Sequence, residues 1–315
     1  MDTNRSRSLL KLIQAGDISK LRTFIADQYE DDSWKYEKHV KSGDNLLHLA
    51  TRSGHLDLVK WLVKDHSLRL SVTNNDAKQP LHDAAHFSHI RCLQFLLDNG
   101  ASVDCLKKSD WTPLMLACTK RDIEIVTCLV NAGATIQLKN KDGWNCFHIA
   151  CREGSEEIVN FLLDCDKDLW NVVTKNGRTP LHTAALHGNQ KVVGVLLRRG
   201  NYPSDVIDSC GSTPLMDALR SGYTDIADTL ASQFKSSVYK EDEVGCTALH
   251  LAAQVGCEES VQWLVCNKAV NVNLTSSTSG ITPLHLAAKE GQCEMISLLC
   301  SLGADINLKD NKGRT

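Results

Sequence analysis

The chain has 315 residues, a formal net charge of -3 and only 5% aromatic residues. With no basic stripe for a phosphate backbone, nucleic acid is disfavoured as a direct ligand, and no apolar run approaches the ~20 residues that span a bilayer. The 13 cysteines are odd in number and lack paired spacings, which argues against a disulfide framework. Cys92, Cys118, Cys128, Cys151, Cys293 and Cys300 instead fall on helix positions as small hydrophobes.

The first stretch, MDTNRSRSLL, lacks the apolar core of a signal peptide, and a cytoplasmic and nuclear protein is expected. Residues 7 to 28 read as a degenerate opening unit. Leu9, Leu12, Ile13, Gly16, Ile18, Leu21 and Ile25 follow a helix-turn-helix pattern, and Arg5, Arg7, Lys11 and Lys20 supply the polar face that a terminal repeat needs. Asp27 to Ser42, rich in Asp, Glu, Lys and Tyr, is longer than the later connections and reads as a flexible loop. Residues 1–42 are therefore assigned to a capping repeat and its loop.

From residue 43 a four-residue signal recurs every 33 to 35 residues: it begins at Asn45, Gln79, Thr112, Asn145, Thr179, Thr213, Thr247 and Thr282. Self-similarity at this period marks a repeat architecture, and a binding role follows more readily than a catalytic one. Each unit reads as turn, helix, turn, helix. Thr caps the first helix and Pro occupies its first turn, where a missing N–H is harmless. Small residues such as Ala84-Ala85 and Ala252-Ala253 let neighbouring inner helices approach, and glycines such as Gly54 and Gly188 end them. Aliphatic residues at helical spacing, for example Val192, Val193, Val195 and Leu196, give the second helix a buried face. Eight repeats are assigned to 43–310, and Gly313-Arg314-Thr315 copies the approach to a further signal, so 311–315 reads as the start of another repeat.

Thr-Pro-Leu-His at this period resembles the ankyrin repeat family over residues 45 to 315. The resemblance implies an all-α solenoid of stacked helix-turn-helix units with short hairpin loops.

The histidines that end the signal, His48, His82, His148, His182, His250 and His285, are expected to tie neighbouring turns together. His82, His86, His89 and Cys92 share one stretch, but His82 is committed by the repeat and the glutamate of a zinc-protease helix is absent, so no metal is expected. No phosphate loop, dinucleotide fingerprint or nucleophile elbow occurs. Neither catalytic residues nor cofactors are assigned, and the chain is expected to be a monomer and not an enzyme.

The scaffold leaves the hairpin turns unexplained. Four residues before the signal stand Lys41, Asn75, Lys108, Lys141 and Lys175, then Ser209, Glu243 and Thr278. One residue before it stand Lys78, Trp111, Trp144 and Arg178. Equivalent residues of adjacent repeats should lie ~8 to 10 Å apart, and Trp and Arg are the types enriched in interface hot spots. Lys78, Trp111, Trp144 and Arg178 are thus candidate partner-binding residues; for the rings, packing within the repeats is the alternative.

Within the ankyrin family, Val103–Thr119 (VDCLKKSDWTPLMLACT), Leu138–Gly154 (LKNKDGWNCFHIACREG), Arg178–Gly188 (RTPLHTAALHG) and Leu302–Asp310 (LGADINLKD) resemble the branch associated with alanyl-tRNA synthetase. That resemblance implies binding to the synthetase and uptake of misactivated serine on lysine side chains, with Lys108 and Lys141 at the matching acceptor positions. A third acceptor would follow Trp170, where this chain has Asn171; Lys175, four residues on, is the candidate substitute, with Lys167 also near. The competing expectation is a generic scaffold for another intracellular protein.

Overall fold

The computed structural model describes residues 3–315; residues 1 and 2 of the expected opening unit lie outside the described residues. The chain forms two compact units, 1–149 and 150–315. Among the described residues there are eighteen α-helices and no strand longer than an isolated bridge. The helices pair as the signal predicts.

In the first unit, α1 (Thr3–Ala15) pairs with α2 (Ile18–Gln28), α3 (Leu46–Arg52) with α4 (Leu56–Lys60), α5 (Pro80–His86) with α6 (Ile90–Asp98), and α7 (Pro113–Lys120) with α8 (Ile123–Asn131). The division falls inside α9 (Cys146–Glu153). The second unit continues through α10 (Glu156–Cys165), α11 (Pro180–Leu186), α12 (Gln190–Arg199), α13 (Pro214–Arg220), α14 (Thr224–Ser232), α15 (Ala248–Val255), α16 (Glu258–Gln262), α17 (Pro283–Glu290) and α18 (Cys293–Ser301). Inner helices stack in each unit, α3 on α5 and α5 on α7 in the first, α11 on α13, α13 on α15 and α15 on α17 in the second. Buried Ala84, Ala85, Ala184, Ala185, Ala252 and Ala253 keep these contacts close. None of these helices is long and apolar enough to cross a membrane, and all 13 cysteines are free.

The helix starts follow the expected chemistry. Thr112 Oγ1 accepts from the Met115 N–H, and Thr179 and Thr282 form the same bond with His182 and His285. Gly54 ends α3 at φ 73°, and a Cβ there would lie 2.7 Å from the His89 ring. That ring closes the helix end: His89 Nε2 donates to the Arg52 carbonyl (2.9 Å).

The connection expected to be the loosest is anchored instead. A 3-10 turn over Asp32–Tyr36 buries Trp34, which stacks on Trp61 with centroids 5.7 Å apart, while His66 meets both rings edge-on. Two large rings bury enough apolar area to hold a connection of this length.

Hairpin tips carry one residue of positive φ two places before the signal, supplied by Gly43, Gly143, Gly177, Gly211, Gly245, Gly280 and Gly313. Ala77 (φ 56°) and Asp110 (φ 60°) occupy the same place without that freedom. A Cβ in the left-handed region costs about 1 kcal/mol, so Ala77→Gly is expected to raise the melting temperature, by calorimetry, without altering the helix content; an unchanged or lower value would show that the tip is not strained.

Candidate partner-binding surface

Six signal positions hold histidine, and five of those side chains reach the next hairpin of their own unit. His48 Nε2 bonds to the Lys78 carbonyl, His82 to Trp111, His182 to Ser212, His250 to Ile281 and His285 to Arg314, at 2.8 to 3.2 Å. These bonds fix the hairpins against the inner helices. They also account for the zinc candidate: His82 Nδ1 accepts from the Gln79 N–H while its Nε2 is used on Trp111, and His89 caps α3.

A second lock runs from tip to tip. Lys108 N–H donates to the Asp76 carbonyl (2.9 Å) and Lys141 N–H to Ser109 (3.1 Å); in the second unit Ser209 N–H donates to Asn176 and Glu243 N–H to Cys210. The position four residues before the signal is thus held by its backbone, and where it is not lysine its side chain can add to the lock, as Asn75 does on the Lys41 carbonyl. Lys108, Lys141 and Lys175 are all exposed. Lys108 Nζ reaches Asp76 Oδ1 at 3.1 Å. Lys108 and Lys141 stand on adjacent hairpins of the first unit, while Lys175 belongs to the second.

Trp111 and Trp144 are half-buried. The Trp111 ring is faced by Lys107 Nζ, 5.4 Å from its centroid, and the Trp144 ring lies 5.9 Å from His148. The contribution of each residue to the hairpin comes from its backbone: Trp111 O accepts from Lys107 N–H and His82 Nε2, and Trp144 pairs with Asn140. Lys78 is likewise half-buried, its carbonyl serving His48 and Asn74.

Arg178 differs. Its guanidinium spans Asp208 (3.2 Å) and Asp217 (2.5 Å), and only 19% of its side chain is exposed. It is spent on two buried carboxylates of its own unit. Arg52 plays the same part in the first unit, bridging Asp44 (2.9 Å) and Asp83 (3.1 Å). Asp44, His48 and Asp83 come close enough together to resemble a metal site. However, the Arg52 guanidinium already occupies both carboxylates and both nitrogens of His48 lie within bonding distance of Asn45 or Lys78.

The hairpin before α7 departs from the others. In its neighbours the residue five before the signal ties off the turn: Asn74, Asn140, Asp208, Asp242 and Asp310 each accept two backbone N–H groups through Oδ1. Here that residue is Lys107, which cannot accept, and Ser109 and Asp110 both have positive φ. Burial, and then the nearby Lys78, lower the Lys107 amine below the ordinary lysine value, with Asp76 opposing. Sequence reasoning passed over Lys107 for its neighbour; the missing Asx residue at its position was the available signal.

The pattern described as "Ankyrin repeats (3 copies)" matches residues 9–107, 99–171, 164–242 and 234–310. The chain is 29% identical over 116 residues to Alpha-latrocrustotoxin-Lt1a of Latrodectus tredecimguttatus, a stretch that is 37% of this chain and 8% of the toxin. It is 31% identical over 102 residues to Serine/threonine-protein kinase TNNI3K of Mus musculus, covering 30% and 12%, and 32% identical over 109 residues to Protein ACCELERATED CELL DEATH 6 of Arabidopsis thaliana, covering 29% and 16%. The chain thus spans 8 to 16% of the length of these relatives. With the family pattern running from residue 9 to residue 310 and the described residues forming eighteen helices in the order it requires, the chain belongs to the ankyrin repeat family.

Proposed function

We propose that this protein-binding ankyrin module works in the cytoplasm and nucleus on alanyl-tRNA synthetase, and that it limits serine mischarging by accepting misactivated serine on Lys108 and Lys141, with Lys175 in the place of a third acceptor. The observation that carries the reading is the pair of exposed amines at adjacent, backbone-locked tips, each followed three residues later by a half-buried tryptophan. Seryl adenylate is already an activated acyl donor. A neutral lysine amine attacks its carbonyl carbon, the new C–N bond forms as the C–O bond to phosphate breaks, AMP leaves, and the amine proton passes to solvent. Positioning beside the donor provides most of the acceleration, so no catalytic apparatus is needed. For Lys108 the ion pair with Asp76 has to open first.

The test is to incubate the protein with the synthetase, ATP and serine without tRNA, and to map modified peptides by mass spectrometry. Seryl adducts are expected on Lys108 and Lys141 and should vanish in Lys→Arg variants that still bind. Trp111→Ala and Trp144→Ala are each expected to weaken the complex by about 2 kcal/mol with little change in melting temperature, because the fold uses the backbones of these residues. Unmodified lysines in a complex shown to form would leave the generic scaffold; no complex at all would remove the synthetase as partner.

A further inference from the structure

The first unit concentrates unpaired positive charge at one place. The inner helices α3, α5 and α7 end in Arg52, His86 and Lys120, and the hairpins beside them bring Lys78 and Lys107. Burial, and then the nearby Lys120, Lys78, Lys107 and Arg52, lower the His86 imidazole below its ordinary value. Arg52 is committed to Asp44 and Asp83, and Asp76 is held by Lys108. Among the described residues, Lys78, Lys107 and Lys120 form no ion pair with a carboxylate, although Asp76 is near enough to act on Lys107.

Apolar surface accompanies the charge. Phe87 is 43% exposed, meets His86 edge-on at 4.9 Å and lies under the Arg52 guanidinium; Trp111 lies under Lys107. Like charges that outnumber the ion pairs available to them raise the free energy of the isolated protein, and an anionic partner relieves it. The hairpin that carries Lys107 bears a further cost, since Ser109 and Asp110 form the only consecutive pair of non-glycine residues with positive φ among the described residues. Strain of this kind persists where the local structure serves something other than stability.

We infer that the first unit binds an acidic, partly apolar segment of a partner protein along α5, α7 and the hairpin between Lys107 and Trp111, with its carboxylates on Lys78, Lys107 and Lys120 and an apolar side chain against Trp111 or Phe87. This rests on the reading of the chain as a protein-binding module but not on which protein supplies the segment. A protein segment is favoured over nucleic acid because the chain as a whole is acidic, with a net charge of -3, and the patch holds three free ammonium groups rather than a track along a backbone.

The probe is a fluorescein-labelled peptide alternating Glu or Asp with Leu and Phe, compared with its twin in which every acid is the amide. Binding is read by fluorescence anisotropy, and the site by lysine acylation footprinting with mass spectrometry. The acidic peptide should bind about tenfold or more tighter than its twin, weaken as salt rises, and protect Lys78, Lys107 and Lys120. The triple Lys→Glu variant at those positions should lose binding, as should the milder Lys→Gln triple if the first fails to fold. A triple Lys→Glu variant at exposed Lys191, Lys240 and Lys309, equal in net charge, should bind as the wild type does. Equal binding of the amide twin, protection confined to other lysines, or loss of binding in the control triple would overturn the inference. So would single-stranded RNA binding tighter than the peptide through the same three lysines. Complex formation between wild-type protein and the synthetase, measured separately, decides the previous proposal independently of these results.

Discussion

Each of His82 and His182 is expected to withdraw roughly 3 kcal/mol of folding stability as the pH falls from about 6.5 to about 4. Burial is the main cause and pushes both imidazoles down to about 4; the geometry explains why relief is not available. In each ring Nδ1 accepts from a backbone N–H, of Gln79 or Thr179, while Nε2 donates to the next hairpin. Protonating Nδ1 sets a donor against a donor inside the core. The unfolded chain binds the proton more readily, so this contribution is complete above the unfolded value near ~6.5 and is lost as the pH falls through the folded one. His48 and His250 are lowered by burial in the same sense. Asp83 and Asp217, raised by burial, act oppositely and recover part of the loss. Asp44, held at about 2 by bonds from Asn74, Ser42 and Arg52 against the cost of burial, adds its own loss only below about 4. Urea unfolding followed by circular dichroism at stepped pH should show the midpoint falling across this window. A midpoint constant from pH 6.5 to pH 4 would contradict the account.

The same histidines show how far the sequence could be read. A residue that recurs at each period and sits three after a capping hydroxyl has little choice of partners, so its role in joining hairpins follows from the period alone, as do the helix pairs and their glycine ends. What stayed hidden depends on which residues of two repeats come side by side. Arg178 pairs with a carboxylate 39 positions later and Arg52 with one 31 positions later, and neither distance is the period. The clue was that Asp83 and Asp217 share the place just after the signal, on the face that packs inward, where an isolated carboxylate would not persist. Trp34 and Trp61 find each other across a connection with no pattern of its own. At the tips, the period locates Lys107 and Lys108 but not their surroundings. Lys108 reaches Asp76 and Lys107 lies over Trp111, on a hairpin where Ser109 and Asp110 both have positive φ.

Arg178→Ala is expected to destabilise the protein by about 3 kcal/mol, in contrast to Trp111→Ala. Both residues stand immediately before the signal and were grouped as partner-binding candidates on that ground. The Trp111 ring can be removed while its carbonyl still serves His82. Removing the Arg178 guanidinium takes from Asp217, 1% exposed, the cation in contact with it, and its other oxygen already lacks a bond. Asp208 loses less, because its Oδ1 keeps the Cys210 and Ser212 N–H groups. The stranded Asp217 carboxyl, already raised by burial, should rise further. A raised carboxyl favours the fold below its unfolded value and opposes it above, so the defect should be largest at neutral pH and shrink as the pH is lowered through the raised value. Asp217→Asn in the Arg178→Ala background should restore part of the loss by removing the buried charge. Calorimetry at neutral and mildly acidic pH would show both effects. If Arg178→Ala instead melts as the wild type does and only partner affinity falls, the guanidinium is a contact residue after all, and its two ion pairs contribute little to the fold.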